Sequence, residues 1–464
     1  MWTREIPFVD PVAAAEALAV WPGLAFLDSA MHHKTLGRTS TLAVDPFARF
    51  RYRDGRATLD GRPVPGTGLE ALRACLAPYR MAPDADLPAF AGGAIGYFAY
   101  DLGARLERVA APARRAGLCD DIAFNLYDTI LTIDHETGRC LLIATGFPET
   151  ESGAREKRAT ARLAHFARLL EGARPTPEPT AQGPLAWHSN FTRAGYEAAV
   201  ERVRDYIRAG DIYQANISQR FTADLAEGFD AFALYRRLRA TNPATFGAYL
   251  AFDGLRIASS SPERFLKLAG RAIETRPIKG TVRRVANPEA DTRLGEALQA
   301  DLKERAENIM IVDLLRNDLS RICEPHSVQV PVLCGLESYA SVHHLVSVVT
   351  GTLKADMDAI DLIAATFPGG SITGAPKLRA MDIITQIEGD ARELYCGAIG
   401  AIGFDGSLDT SIAIRTVFMD DRIAVLQAGG GITLLSEPGP EYEETLTKAA
   451  RVFEAFAPDG EGGR

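Results

Sequence analysis

Cysteine is sparse: the six residues, at positions 75, 119, 140, 323, 334 and 396, form no CxxC pair and lack the dense spacing of a small secreted disulfide scaffold. They read as reduced thiols of a cytoplasmic protein. No run approaches the ~18 consecutive apolar residues of a membrane span. The opening Met1-Trp2-Thr3-Arg4-Glu5 mixes charges where an export signal would lead a basic segment into an apolar one. No membrane association is therefore expected. Lys and Arg nowhere form a block, and the formal net charge is -9, so a phosphate backbone finds no basic patch to bind. Nucleic acid is not expected as a partner.

What is present is material for a large core. The chain has 464 residues, 47% of them hydrophobic and 24% charged, and exceeds the ~250–300 residues at which single cores stop growing. A proline-rich polar stretch at 173–188, which includes Pro175, Pro177, Pro179 and Pro184, holds no helix and has nothing to bury. It divides the chain into an N-terminal lobe, 1–172, and a second region, 189–457. Before it, residues 122–133 and 141–144 read as strands and 154–170 as a charged amphipathic helix. After it, Thr192 caps a predicted helix in which Tyr196, Val200, Val203 and Ile207 recur at helical spacing until Gly210. Strands are expected at 212–221, 247–252, 398–404, 411–418 and 423–427, and helices at 302–315 and 442–456. No steady βα alternation appears, so the expected class is α+β.

Three features carry chemistry. Glu304 and Glu307 are three apart on one predicted helix and Glu441 and Glu444 on another, so each helix projects two carboxylates from one face. Converging, they would attract a hard cation such as Mg²⁺, which takes oxygen ligands; apart, they are ordinary solvated charges. The run Ile309-Met310-Ile311-Val312 that follows the first pair predicts a helix buried all round. Next, Gly429, Gly430 and Gly431 permit positive φ and a close approach of amides to an anion, with Arg415 nearby in a strand-like segment offering a planar fork for carboxylates. Lys448 follows Glu444 by four and would ordinarily be a surface pair. Last, Lys279 lies between Pro277-Ile278 and Gly280-Thr281, a pattern that predicts a tight turn presenting its amine. As a nucleophile that amine must be neutral, a state that burial or cations such as Arg276, Arg283 or a metal would favour. Most lysines are simply solvated.

Together these segments resemble the chorismate-utilising enzymes, a family that includes anthranilate, aminodeoxychorismate, isochorismate and salicylate synthases. The matching stretches are 212–220, 261–265, the Lys279 segment, 303–321, 338–347, 367–377 and 428–448, in order over most of 190–455. The resemblance implies two intertwined lobes of antiparallel sheet flanked by helices. It implies Mg²⁺ held by Glu307 and Glu444, with Glu304 and Glu441 reaching the ion through water. It further implies that chorismate meets Tyr395, Arg415, Lys448 and the amides of Gly429, Gly430 and Gly431, with Gln214 and Thr281 beside it, that His344 is the family's active-site histidine, and that Glu263 is a general acid. Isochorismate and salicylate synthases look different at position 214, where a lysine activates water; Gln214 disfavours that reaction. The Pro-Ile-Lys-Gly-Thr form around Lys279 resembles the members that aminate chorismate at C4 without aromatising the ring, through a covalent adduct at C2, on the way to 4-aminobenzoate and folate. Ammonia would come from a separate glutamine amidotransferase subunit, because the chain has no Gly-x-Cys-x-Gly elbow: Cys334 lies in Leu333-Cys334-Gly335-Leu336. Nor does any segment look like a fused pyridoxal-phosphate lyase. Two alternatives stay open: an anthranilate-forming large subunit, and a non-catalytic member that binds chorismate or a partner. Where anthranilate synthases carry Leu-Leu-Glu-Ser for feedback tryptophan, this chain has Phe26-Leu27-Asp28-Ser29, which predicts a packed strand.

Overall fold

The computed structural model describes residues 1–31, 36–339 and 342–457. Ala340 and Ser341, inside the matching stretch 338–347, lie outside the described residues. Residues 173–187 form neither helix nor strand, and the polypeptide on either side of them contributes to both of two large antiparallel sheets. One sheet runs Trp2–Ile6, Arg139–Ala144, Thr129–Asp134, Thr39–Ala43, Ala25–Asp28, then Phe246–Phe252, Leu255–Ser261, Thr416–Met419, Ile423–Ile432, Gln214–Asp224 and His188–Ser189. The second runs Ile278–Arg283, Val342–Thr352, Ala272–Thr275, Arg264–Ala269, Leu408–Ile412, Ala398–Gly403, then Gly93–Phe98, Ile122–Tyr127 and Ala48–Arg53. The two halves are joined strand to strand in each sheet: Ala25 lies opposite Leu250 in the first, and Gly96 opposite Gly400 in the second.

The sheets face each other across a core that takes Ala25, Ile130, Leu250 and Val425 from one and Ile95, Tyr97 and Ile399 from the other. Helices cover the outer faces, which is why Ile122–Tyr127 and Ala398–Gly403 are buried at every position and read as unbroken runs. The helix ends follow local chemistry. Thr192 accepts the Gly195 N–H at 3.1 Å to start Arg193–Arg208, and Asp301 accepts those of Lys303 and Glu304 to start Leu302–Ser320. Prolines occupy the first turn of Pro438–Phe456, where a missing N–H costs nothing.

Three expectations need correction. Residues 411–418 are not one strand: Leu408–Ile412 belongs to the second sheet and Thr416–Met419 to the first, and the chain crosses at 413–415 with Arg415 at φ 53. An apolar run fits two buried strands as well as one, and periodicity alone does not reveal the break. The chain makes a neighbouring crossing between Leu255–Ser261 and Arg264–Ala269, which places Glu263 at it. The run after Glu307 is not buried all round either, since Ile309 is 39% exposed while Ile311 and Val312 are buried. Lastly, Lys279 is in a strand, as described below.

Gly96 sets the spacing between Gly93–Phe98 and its neighbour Ile122–Tyr127 within the first lobe. A Cβ on Gly96 would stand 1.9 Å from the Ala123 carbonyl oxygen, a backbone atom that cannot swing aside. Gly96→Ala is expected to destabilise the fold by ~2 kcal/mol, read as a lower urea midpoint; an unchanged midpoint would count against this close approach.

Candidate active site

Both sheet crossings lie side by side and are hydrogen-bonded to each other. Ile412 N–H donates to the Glu263 carbonyl at 3.0 Å, Ser261 Oγ to the Ile412 carbonyl at 2.6 Å, and Ser260 N–H to the Arg415 carbonyl at 3.1 Å. Changing sheets here takes Glu263 and Arg415 out of the named strands while their carbonyls still accept from the neighbouring crossing. Glu263 is buried, and burial raises its pKa against the opposing effects of a hydrogen bond with Ser371, the nearby Lys279 charge and the Ile278 amide. A buried carboxyl whose pKa is shifted upward suits a general acid.

Lys279 sits in the strand Ile278–Arg283, not in a tight turn. The register slips between Lys279, opposite Leu345, and Thr281, opposite His344, so Gly280 is the extra residue of a bulge, at φ 76. The proline and glycine that suggested a turn instead re-aim one side chain within a ladder. Lys279 Nζ donates to the Ser371 carbonyl at 3.2 Å. The charges facing it are carboxylates, of Glu263, Glu304, Glu307 and Glu444. Arg276 is not available to it, being paired with Glu337 and, at 3.9 Å, with Glu274. Across the bulge, Thr281 Oγ1 and His344 Nδ1 are 2.8 Å apart. Burial pushes the His344 imidazole down to about 4 against a hydrogen bond involving the Gly280 backbone, and the Arg415 and His343 charges add to the fall.

Gly429, Gly430 and Gly431 belong to the strand Ile423–Ile432, opposite Ser218, Ile217 and Asn216, and none has positive φ. Glycine is required by proximity at 429, where a Cβ would stand 2.3 Å from the Ile217 carbonyl oxygen, and at the other two positions a Cβ would crowd side-chain ends of the site. A Cβ on Gly431 would fall 1.9 Å from Gln214 Nε2, and one on Gly430 would point at Glu441 Oε2 and Glu444 Oε1, at 3.1 and 3.3 Å. Gln214 is 1% exposed, yet neither atom of its amide has a partner in the protein; a buried amide left so is poised for a ligand. Asn216 Oδ1, on the same face of the strand, is likewise unpartnered. Lys448 Nζ donates to the Gly429 carbonyl at 2.9 Å and pairs with Glu444 at 2.5 Å, while Arg415 Nη1 donates to the Lys448 carbonyl. Tyr395 is buried within reach of the Arg415 charge.

The four carboxylates come from the N-terminal ends of two helices, one on each sheet, and are close enough to influence one another. Burial raises Glu304, Glu307 and Glu441, with contributions from Glu444, Glu304 and Glu444 respectively. Burial pushes Glu444 up as well, but Lys448 outweighs it and leaves this group below its usual value. Among the described residues, no three acidic, histidine or cysteine side chains are gathered tightly enough to hold an ion as they stand.

The crossings, the bulged lysine, the glycine strand and the acidic helix ends thus converge, and the comparisons agree. The profile of the chorismate binding enzymes matches residues 25–454. The chain belongs to the chorismate-binding enzyme family. An aminodeoxychorismate synthase component 1 of Salmonella typhimurium is 43% identical over 387 residues, 83% of this chain and 80% of that protein. An anthranilate synthase component 1 of Streptomyces coelicolor is 39% identical over 421 residues, 88% and 81% of the two chains. The crystal structure of anthranilate synthase component I from Streptococcus pneumoniae superposes with a TM-score of 0.79 at 33% identity, covering 90% of this chain and 92% of that one. The menaquinone-specific isochorismate synthase of Escherichia coli shares the fold, with a TM-score of 0.75 at 19% identity over 98% of this chain and 94% of that one.

Some parts of this chorismate-binding enzyme were not singled out from sequence. Ser371 touches both Lys279 and Glu263, and Arg392 with Glu388 lies fully buried behind it. Their charged surroundings, Glu388-Gly389-Asp390-Ala391-Arg392-Glu393, look like solvated surface. In the first lobe, the Asp28 carboxylate accepts from Ser40 Oγ, Tyr235 OH and Arg239 Nε at 3.0, 2.9 and 2.6 Å, within a strand.

Because His344 is held neutral, the unfolded chain takes up its proton below about 6.5 while the folded chain waits until about 4. Its contribution to stability is present above the first value and is lost as pH falls toward the second. Wild-type protein should therefore lose more stability between pH 7 and 4 than His344→Gln, and parallel pH curves would contradict the burial.

Proposed function

We propose that this chain is the large subunit of an aminodeoxychorismate synthase, converting chorismate and ammonia to 4-amino-4-deoxychorismate on the route to 4-aminobenzoate and folate. The observation that carries this reading is the Lys279 amine donating to Ser371, the residue that also contacts the Glu263 carboxyl. A nucleophile and an acid facing one turn are what displacement of a hydroxyl by a temporary amine adduct requires. The anthranilate reading keeps two specific supports, the 39% identity to the Streptomyces protein over 88% of this chain and the likeness to the Streptococcus pneumoniae structure at 33% identity.

In the proposed reaction chorismate lies between the glycine strand and the bulged strand. Arg415, Lys448, Tyr395 and the amides of Gly429, Gly430 and Gly431 take its carboxylates, and Gln214 borders the ring. Lys279 gives up a proton, for which the surrounding carboxylates are acceptors, and forms an N–C2 bond as the ring double bonds shift. The C4–O bond breaks, and Glu263 protonates the departing hydroxyl, which leaves as water. Ammonia then bonds at C4, the double bonds shift back and the lysine departs from C2. Thr281 and neutral His344 stand beside the bulge as uncharged hydrogen-bonding groups. The donor set fits magnesium: oxygen ligands only, three of the four carboxylates pushed up by burial with like charge nearby. Glu307 and Glu444 would bind directly and Glu304 and Glu441 through water, in keeping with an ion that takes one or two protein carboxylates and leaves other positions to water and substrate. Bound there, it would orient the ring carboxylate and stabilise negative charge as bonds rearrange. Ammonia would be supplied by a glutamine amidotransferase component, as the relatives' designation as component 1 suggests. The six cysteines are free and buried, in keeping with a cytoplasmic enzyme.

The test is chromatography of products from chorismate, ammonia and Mg²⁺: aminodeoxychorismate without pyruvate is expected, and anthranilate with pyruvate would reverse the assignment. Lys279→Ala should abolish or redirect amination while folding normally, and undiminished aminodeoxychorismate from that variant would remove the covalent role. Glu263→Gln should lower kcat by about 10²–10⁴-fold, and a rate within about tenfold of wild type would leave the general acid unassigned.

A further inference from the structure

Behind the site lies a charge pair that the proposed chemistry does not use. The Arg392 guanidinium is buried, grips Glu388 through Nε and Nη2 at 2.9 and 2.7 Å, and lies over the rings of Tyr100 and Tyr395 at 4.7 and 5.6 Å. Two further donors go to backbone carbonyls: Nη1 to Ile372 at 3.0 Å and Nη2 to Asn216 at 2.6 Å. Glu388 in turn accepts from Ser218 N–H and Oγ at 2.8 and 2.9 Å, and Gln427 Nε2 donates to the Arg392 carbonyl at 3.0 Å.

These partners belong to the two banks of the site. Ile372 follows Ser371 in the turn that receives Lys279 Nζ and contacts Glu263. Asn216 and Ser218 belong to the strand that carries Gln214 and pairs with Gly431 and Gly429. The two banks also meet through their backbones, Asn216 N–H donating to the Thr373 carbonyl at 2.8 Å; we propose that Arg392 is a positioning residue, a rigid fork that, beside this contact, fixes how the turn holding the nucleophile and acid is oriented against the strand holding the substrate carboxylates. This inference rests on the chorismate-amination reading above.

A lysine at 392 would keep the charge but reach as a single point, unable to bridge both carbonyls in one plane. Burying a charge pair carries a desolvation cost that apolar side chains of similar volume avoid, so stability alone gives weak reason for its presence. Misplacement of reacting groups by an ångström costs about a hundredfold in rate even when binding survives.

Two variants test this: Arg392→Lys, and Arg392→Met with Glu388→Gln, which removes both charges together. Each is compared with wild type for thermal unfolding, chorismate affinity by calorimetry with Mg²⁺, kcat in the ammonia-dependent assay, and the pH profile of kcat. The expected result is a folded protein that binds chorismate within about threefold of wild type. Its kcat is down about a hundredfold, and the limbs of its pH profile are displaced because Lys279 and Glu263 no longer share their turn as before. A kcat within about twofold of wild type in a folded variant overturns the proposal. So does a fall in kcat matched by an equal loss of affinity or of folded protein, the signature of a purely structural pair, and so does failure of both variants to fold. Wild-type protein that makes no aminodeoxychorismate sinks the functional reading, whereas active wild type with indifferent variants sinks only the role of Arg392.

Discussion

Two adjacent strands leave one sheet and enter the other at the same level, and the site exists because they do. The crossings at Glu263 and at 413–415 are tied together by Ile412, Ser261 and Ser260. A residue inside a ladder has its amide and carbonyl committed and its side chain fixed to one of two faces. At a crossing that alternation lapses, so Glu263 and Arg415 are presented at the seam between the sheets. Each crossing supports the other, which allows Arg415 to hold a left-handed backbone that is strained for a side chain of its size.

Around this seam the electrostatics are arranged for an occupant that is partly positive and partly negative. Burial and neighbouring like charge raise three of the four carboxyls at the acidic ends of two helices, while Arg415, at a crossing, and Lys448, on the last helix, are tied to each other and to the glycine strand. The helix N-termini place partial positive charge behind the carboxylates, which lowers the cost of keeping four of them near one lysine.

Much of the site was legible in the sequence because the relevant residues occur in short ordered segments: the paired glutamates three apart, the three glycines, and Lys279 beside Gly280. The α+β class and the helices starting at Thr192 and near Leu302 followed from caps and periodicity. What escaped was set by tertiary context. A bulge and a turn use the same glycine, so Lys279 looked like a turn residue. The glycines suggest positive φ in sequence, whereas the backbone that excludes a Cβ at Gly429, the Ile217 carbonyl, belongs to a strand far off in sequence. The 411–418 run concealed a change of sheet because both strands are buried. Arg392 and Glu388 look solvated in sequence, and it takes Tyr100, from the opposite half of the chain, together with Tyr395 and the strand carrying Asn216 and Ser218 to enclose them.

The joining of halves within each sheet has a bearing on biosynthesis. Gly93–Phe98 pairs on one side with a strand, Ala398–Gly403, that emerges from the ribosome about 300 residues later, roughly 15–60 s at ordinary elongation rates. During that interval the side of Gly93–Phe98 that faces Ala398–Gly403 lacks its native partner. An unpaired edge is a template for pairing with other chains, so the order of synthesis leaves this strand open to mispairing until the last strands arrive.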